Sequence, residues 1–170
     1  MRREEFNPTF LIKKEDVFSF SDPAFIELFK AVLNKKAAFR FKAKGFSMSP
    51  FIKDGDAITV ANFFDVGPKW AEIVAFIHPE TEKLIVHRVV ARRKEFYIIK
   101  GDNACKGDGF VPRENIIGRV TKVERKGKRV FFGFGPERFL IAMFSHKKVL
   151  LPLLFPIRIL VRLITKKPAI

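Results

Sequence analysis

The sequence predicts a mainly β fold: an antiparallel sheet or open barrel, with a short N-terminal helix and a C-terminal amphipathic helical tail. Short β-type segments recur with no helical segment between them, the pattern of an antiparallel rather than a parallel sheet. Turn signals at Asp54-Gly55, Gly67-Pro68, Gly101-Asp102-Asn103 and Lys126-Gly127-Lys128 punctuate them. The hydrophobic period also switches once, from helical to alternating, near Ala38.

Residues 1–20 show no period and read as an arm. Ser21-Asp22-Pro23 is a helix start, with a capping side chain and a proline in the first turn. Phe25, Leu28, Phe29, Val32 and Leu33 follow at helical spacing, so the helix ends near Asn34-Lys35. From Ala38, Phe39, Phe41 and Ala43 alternate with Arg40, Lys42 and Lys44, which is a strand. Further strands are expected at Ala57–Phe64, Glu72–Ile77, Leu84–Ala91, Phe96–Lys100, Ile116–Val123 and Arg129–Phe134. The chain then divides into residues 1–37 (arm and helix), 38–135 (β domain) and 136–170 (a basic, apolar tail), with the second boundary near Pro136.

Composition narrows the function. The 170 residues include 21 Phe but one Trp and one Tyr, so most aromatic bulk carries no polar handle. The net charge of +15 points to an anionic partner, either nucleic acid or an acidic membrane surface. From Arg119 onward there are thirteen Lys/Arg against two acids, a local excess of +11 that places the charge in the tail. Cys105 is the only cysteine, which excludes an intrachain disulfide and argues against a cysteine-based metal site. No secretory signal and no apolar run of the roughly 20 residues a spanning helix needs is evident. The expectation is a cytoplasmic or peripheral membrane protein without metal or cofactor.

Three segments carry chemistry. In Gly45-Phe46-Ser47-Met48-Ser49-Pro50 a strand ends, a glycine turns the backbone, and Ser47 sits on the turn. Such a turn exposes a hydroxyl and aims backbone N–H groups at an oxyanion. In Leu84–Val90, His87 shares a strand face with Ile85 and Val89 while Arg88 points the other way. An imidazole there needs a polar partner, which either an ordinary core contact or a catalytic hydroxyl and carboxylate would supply. In Lys100–Asp108 a Gly- and Asn-containing loop offers two carboxylates, Asp102 and Asp108, either of which could orient an imidazole.

In order and spacing these segments resemble the signal peptidase I family, in particular its endoplasmic-reticulum and archaeal-like branch. The Gly-x-Ser-Met-x-Pro and Gly-Asp boxes match Gly45–Pro50 and Gly55-Asp56, and the His-Arg-Val box matches His87-Arg88-Val89. The Lys-Gly-Asp-Asn loop matches Lys100–Asn103, and Gly118-Arg119-Val120 matches a later strand, so the resemblance spans roughly residues 38–123. Bacterial housekeeping signal peptidases and the related self-cleaving SOS repressors carry a lysine base where this sequence has His87. The resemblance implies Ser47 as nucleophile, His87 as general base and Asp108 as the orienting carboxylate, with Asp102 structural or accessory. It also implies a peptide or protein substrate bound as an added β-strand, with small side chains in shallow pockets. Met48 and neighbouring phenylalanines are candidates for pocket walls and equally for core; His78 and His146 read as surface residues.

The sequence departs from the family in two places. Where many members have a serine whose hydroxyl binds the oxyanion, Gly45 leaves backbone donors, chiefly the Ser47 N–H. The family's N-terminal membrane anchor is not seen; instead, a helix from Ile157 would put Arg158, Arg162 and Lys166 on one face, suited to an anionic lipid surface through residues 149–170. Two other functions remain open: a self-cleaving repressor-like protein and a non-catalytic basic barrel binding an acidic partner. The 37 residues before the β segments are short for a DNA-binding domain plus linker, and there is no Ala-Gly or Cys-Gly bond of the kind such repressors cut. This favours a membrane over nucleic acid. The non-catalytic barrel would leave Ser47 and His87 apart.

Overall fold

The computed structural model describes residues 10–11, 22–63 and 67–147. In chain order the elements are β1 (Phe10–Leu11), α1 (Pro23–Asn34), β2 (Phe39–Lys42), β3 (Ala57–Ala61), β4 (Ile73–Ile77), β5 (Leu84–Arg93), β6 (Phe96–Lys100) and β7 (Phe110–Pro112). A 3₁₀ turn (Arg113–Asn115), β8 (Ile116–Arg125), β9 (Lys128–Arg129) and α2 (Arg138–His146) complete them. The strands form one sheet in the order β1-β2-β3-β8-β4-β5-β6-β7, with β9 paired to β8. Every pairing is antiparallel except β1 with β2, and no pairing joins β1 to β7, so the sheet stays open among the described residues.

The α1 boundaries follow from local chemistry. The Asp22 carboxylate accepts the Ala24 N–H at 2.9 Å, and Pro23 occupies the first turn, where its missing N–H leaves no gap. Phe25, Phe29 and Leu33 on one face of α1 are buried against Phe39, Phe41, Ile58, Val60 and Val123 of β2, β3 and β8. Four of these rings interlock, with Phe29 and Phe39 centroids 4.9 Å apart and Phe25 edge-on to Phe39 at 5.7 Å. A second cluster, built on Val74, Phe76, Val89, Tyr97, Ile99 and Val111, fills the β4–β7 half of the sheet.

The structure alters some of these expectations and adds detail to others. The Arg129–Phe134 strand shrinks to Lys128–Arg129, because the chain turns at Phe131–Phe134 with Gly133 at φ +97° and the Phe134 N–H bonded to the Phe131 carbonyl at 3.0 Å. The arm contributes β1, a two-residue strand beside β2. The tail begins with α2, which buries Ile141, Ala142 and Ser145 and leaves Phe139 and Leu140 exposed. Helix α2 packs mainly on β5, so the first turns beyond Pro136 contribute to the body of the fold. The helix expected from Ile157, and the whole of 149–170, lie outside the described residues. His146 is exposed, but His78 is half-buried, and its Nδ1 accepts the N–H groups of Glu80 and Thr81. Among the described residues no helix is long and apolar enough to cross a membrane.

Candidate active site

Ser47, His87 and Asp108 come from three separate segments, and the sheet brings them together. Ser47 sits exposed on the turn after β2. His87 lies on β5 with its side chain 9% exposed, and Asp108 on the loop after β6 with its side chain 14% exposed. The His87 Nε2 is 2.8 Å from the Ser47 Oγ, and Nδ1 is 2.7 Å from the Asp108 Oδ2. With Nδ1–H donated to Asp108, Nε2 is left to accept the seryl proton.

The Ser47 turn is fastened on every side. Gly45 has φ +94°, a region an L side chain rarely enters, and its N–H donates to the Asp54 carboxylate at 2.8 Å. Asp56 is buried; it takes a two-pronged bond from Arg125 at 2.9 and 2.8 Å and the Lys53 N–H at 2.8 Å. The same guanidinium reaches the Phe51 carbonyl at 3.2 Å, so the Gly55-Asp56 box ties the turn to β8. Burial acts to raise the Asp56 pKa, but the Arg125 and Lys53 contacts outweigh it and hold the carboxyl below the usual carboxylate range. From the other side, Asn103 donates its backbone N–H to the Ser47 carbonyl at 2.7 Å and its side-chain amide to the Phe46 carbonyl at 3.0 Å. The Ser47 N–H donates to no described residue and remains available as an oxyanion donor.

Asp102 does not touch His87. Both its oxygens pair with Arg88, Nε at 2.9 Å and Nη2 at 2.8 Å, and both side chains are fully buried. Arg88 Nη1 donates to the carbonyls of Ala71 and Gly133 at 3.0 and 3.1 Å, and its guanidinium lies 5.6 Å over the Phe51 ring. Alternation on β5 thus sends His87 to the site and Arg88 to the opposite side, where it anchors the loop whose next residue clasps Ser47. Asn103, Arg88 and Gly101 carry no chemical signal of their own in the sequence beyond membership of the boxes that resemble the family's.

Gly101 shows why its box needs glycine. A Cβ there would lie 2.7 Å from the Ser47 carbonyl oxygen and 3.0 Å from His87 Nε2. Gly101→Ala should therefore push nucleophile and imidazole apart and lower kcat on the order of 10²-fold or more, since displacements near 1 Å cost that much. Steady-state kinetics beside a thermal melt checks this; unchanged kcat would refute the crowding.

Beside Ser47 opens a cleft of about 280 Å³ whose walls include Phe41, Ala43, Met48, Ile58, Leu84 and Val86. Met48 is both wall and core, since it is 4% exposed and belongs to the α1 cluster. One wall is the start of β5: Leu84–His87 pair with β4 alone, because β6 joins only from Arg88. Among the described residues no group of His, Cys, Asp or Glu gathers as a metal site.

The Peptidase S24-like family matches residues 12–121, well over half of the chain. The chain belongs to that family of serine peptidases, which joins self-cleaving repressors and signal-peptidase-like proteins. No curated protein matches it.

Proposed function

We propose that the chain is a serine endopeptidase of the signal-peptidase type that cleaves a leader- or signal-like peptide through Ser47, His87 and Asp108. The observation that carries this is the unbroken chain of short contacts from Ser47 through His87 to Asp108. A non-catalytic barrel gives no reason for it. His87 takes the Ser47 proton as Oγ attacks the scissile carbonyl, the Ser47 N–H receives the oxyanion, and protonated His87 returns the proton to the leaving amine. Water then hydrolyses the ester by the reverse relay. The substrate runs as an extended strand along the unpaired edge of Leu84–His87, setting small apolar side chains into the cleft.

Labelling with a fluorophosphonate probe tests the assignment: adduct mass on the peptide containing Ser47 supports it, and adduct elsewhere or none refutes it. Self-cleavage, the activity of the repressor branch, is separated by dilution, because an intramolecular cut proceeds at a rate independent of protein concentration.

The tail extends the proposal to a membrane surface. Residues 149–170 combine Arg158, Arg162, Lys166 and Lys167 with long apolar side chains. Each basic residue near an anionic surface contributes about 1 kcal/mol, so peripheral attachment is expected to be strong and salt-sensitive. Removing 149–170 should release the protein from anionic vesicles while cleavage of a short soluble peptide persists. Vesicle binding that survives truncation, or a truncated chain that no longer folds, would overturn it.

A further inference from the structure

We propose a second site, on the side of β5 opposite His87: an oxoanion site of the phosphate class, held by Arg119 of β8 and Arg138 of α2. A cavity of about 210 Å³ lies there, lined by Glu72, Arg88, Arg119, Thr121, Gly133 and Arg138, none of which belongs to the catalytic cleft. The Nε atoms of Arg119 and Arg138 are both buried and donate to no described residue. Being buried, those two atoms do not themselves open on the cavity; the outer nitrogens of the two guanidiniums, whose side chains are only partly buried, are the donors within reach of an anion there.

The local charge supports an anion. Arg88 is neutralised by Asp102 and directs its Nη1 donors to the Ala71 and Gly133 carbonyls. Glu72 is the only acid on the wall; one oxygen accepts the Lys69 N–H at 3.0 Å and the other stands 3.7 Å from Arg119 Nη1, beyond hydrogen-bond reach. Two guanidiniums therefore face one carboxylate, leaving a positive excess and planar donor forks suited to an ion with several oxygens. At the rim, Trp70 stacks on Phe139 at 5.4 Å. Both rings are partly exposed, each next in sequence to a cavity-lining residue, Ala71 or Arg138, and Leu140 beside them is exposed. A cationic cavity behind an aromatic rim fits a phosphate ester, free in solution or at the head of a lipid.

The test uses the full chain and inorganic phosphate, with chloride at equal ionic strength as control. Saturable phosphate binding is expected to raise the melting temperature and to shift the backbone amides of Ala71, Thr121 and Gly133. Arg119→Gln combined with Arg138→Gln should weaken that binding by roughly tenfold or more. Vesicles of a neutral galactolipid carrying phosphatidylglycerol or, at equal surface charge, oleate then separate the two sources. A lipid headgroup is the ligand if the double variant loses affinity only for the phosphatidylglycerol vesicles; a soluble phosphate ester is the ligand if vesicle binding is unchanged while the phosphate response disappears. Absence of a saturable response, an equal response in the double variant, or amide shifts clustered away from this cavity would overturn the proposal. The shift map needs only the wild-type chain, so it decides even if the variant does not fold.

Discussion

Ser47→Ala should lower peptide turnover by a factor on the order of 10⁶ and leave the melting temperature where it was. The size follows from the relay: without Oγ there is no acyl-enzyme, and His87 and Asp108 have nothing to activate. Stability should not change because the hydroxyl is on an exposed turn that is held through backbone atoms, by Asn103 on one side and by Arg125 and Asp54 on the other. Asp108→Asn should be milder, about 10⁴-fold, because the nucleophile survives but the imidazole is held in the wrong tautomer. That ordering is the informative part. Comparable turnover in Ser47→Ala and wild type, with contaminating protease excluded by probe labelling, would remove Ser47 from the mechanism. A larger loss from Asp108→Asn than from Ser47→Ala would assign the chemistry elsewhere.

Legibility in the sequence followed the range of the forces involved. Helix α1 was readable to within about a residue at each end, because Asp22 and Pro23 are local signals and its apolar stripe repeats over three turns. Strand β6 was readable for a similar reason at its end, where Gly101-Asp102-Asn103 is a local turn signal. Strand β7 was not: three residues, one of them proline and one an exposed Phe110, carry no period. Phe131 and Phe132 looked like strand, yet they are exposed on a turn whose geometry depends on Gly133 packing against Phe51, far away in sequence. The membership of the site was visible in the spacing of its boxes, but the residue pattern by itself left Asp102 and Asp108 interchangeable, and only the family resemblance pointed to Asp108. Their division of labour depends on which side of β5 each carboxylate meets, and only the pairing of β5 with β6 and the path of the following loop decide it. The cavity between Arg119 and Arg138 was invisible for the same reason, since β8 and α2 meet only in the fold.

Asp102→Ala should destabilise the protein by about 3–5 kcal/mol, because it leaves the Arg88 guanidinium buried and without its counter-ion. Against a typical total of about 5–15 kcal/mol, that is enough to unfold much of the population near physiological temperature. The Ala71 and Gly133 carbonyls and the Phe51 ring would still contact Arg88, but none carries the missing charge. Arg88→Met combined with Asp102→Leu removes both charges and should recover most of the lost stability, as buried ion pairs replaced by apolar groups commonly do. Denaturant unfolding of the two single variants and the double one measures the coupling directly. The same set distinguishes an anchoring role from a catalytic one. If Asp102 only anchors the loop, the refolded double variant keeps the wild-type shape of its pH–rate profile, because Asp108 still holds His87. A stable double variant with an altered pH profile would mean that Asp102 acts on the imidazole after all.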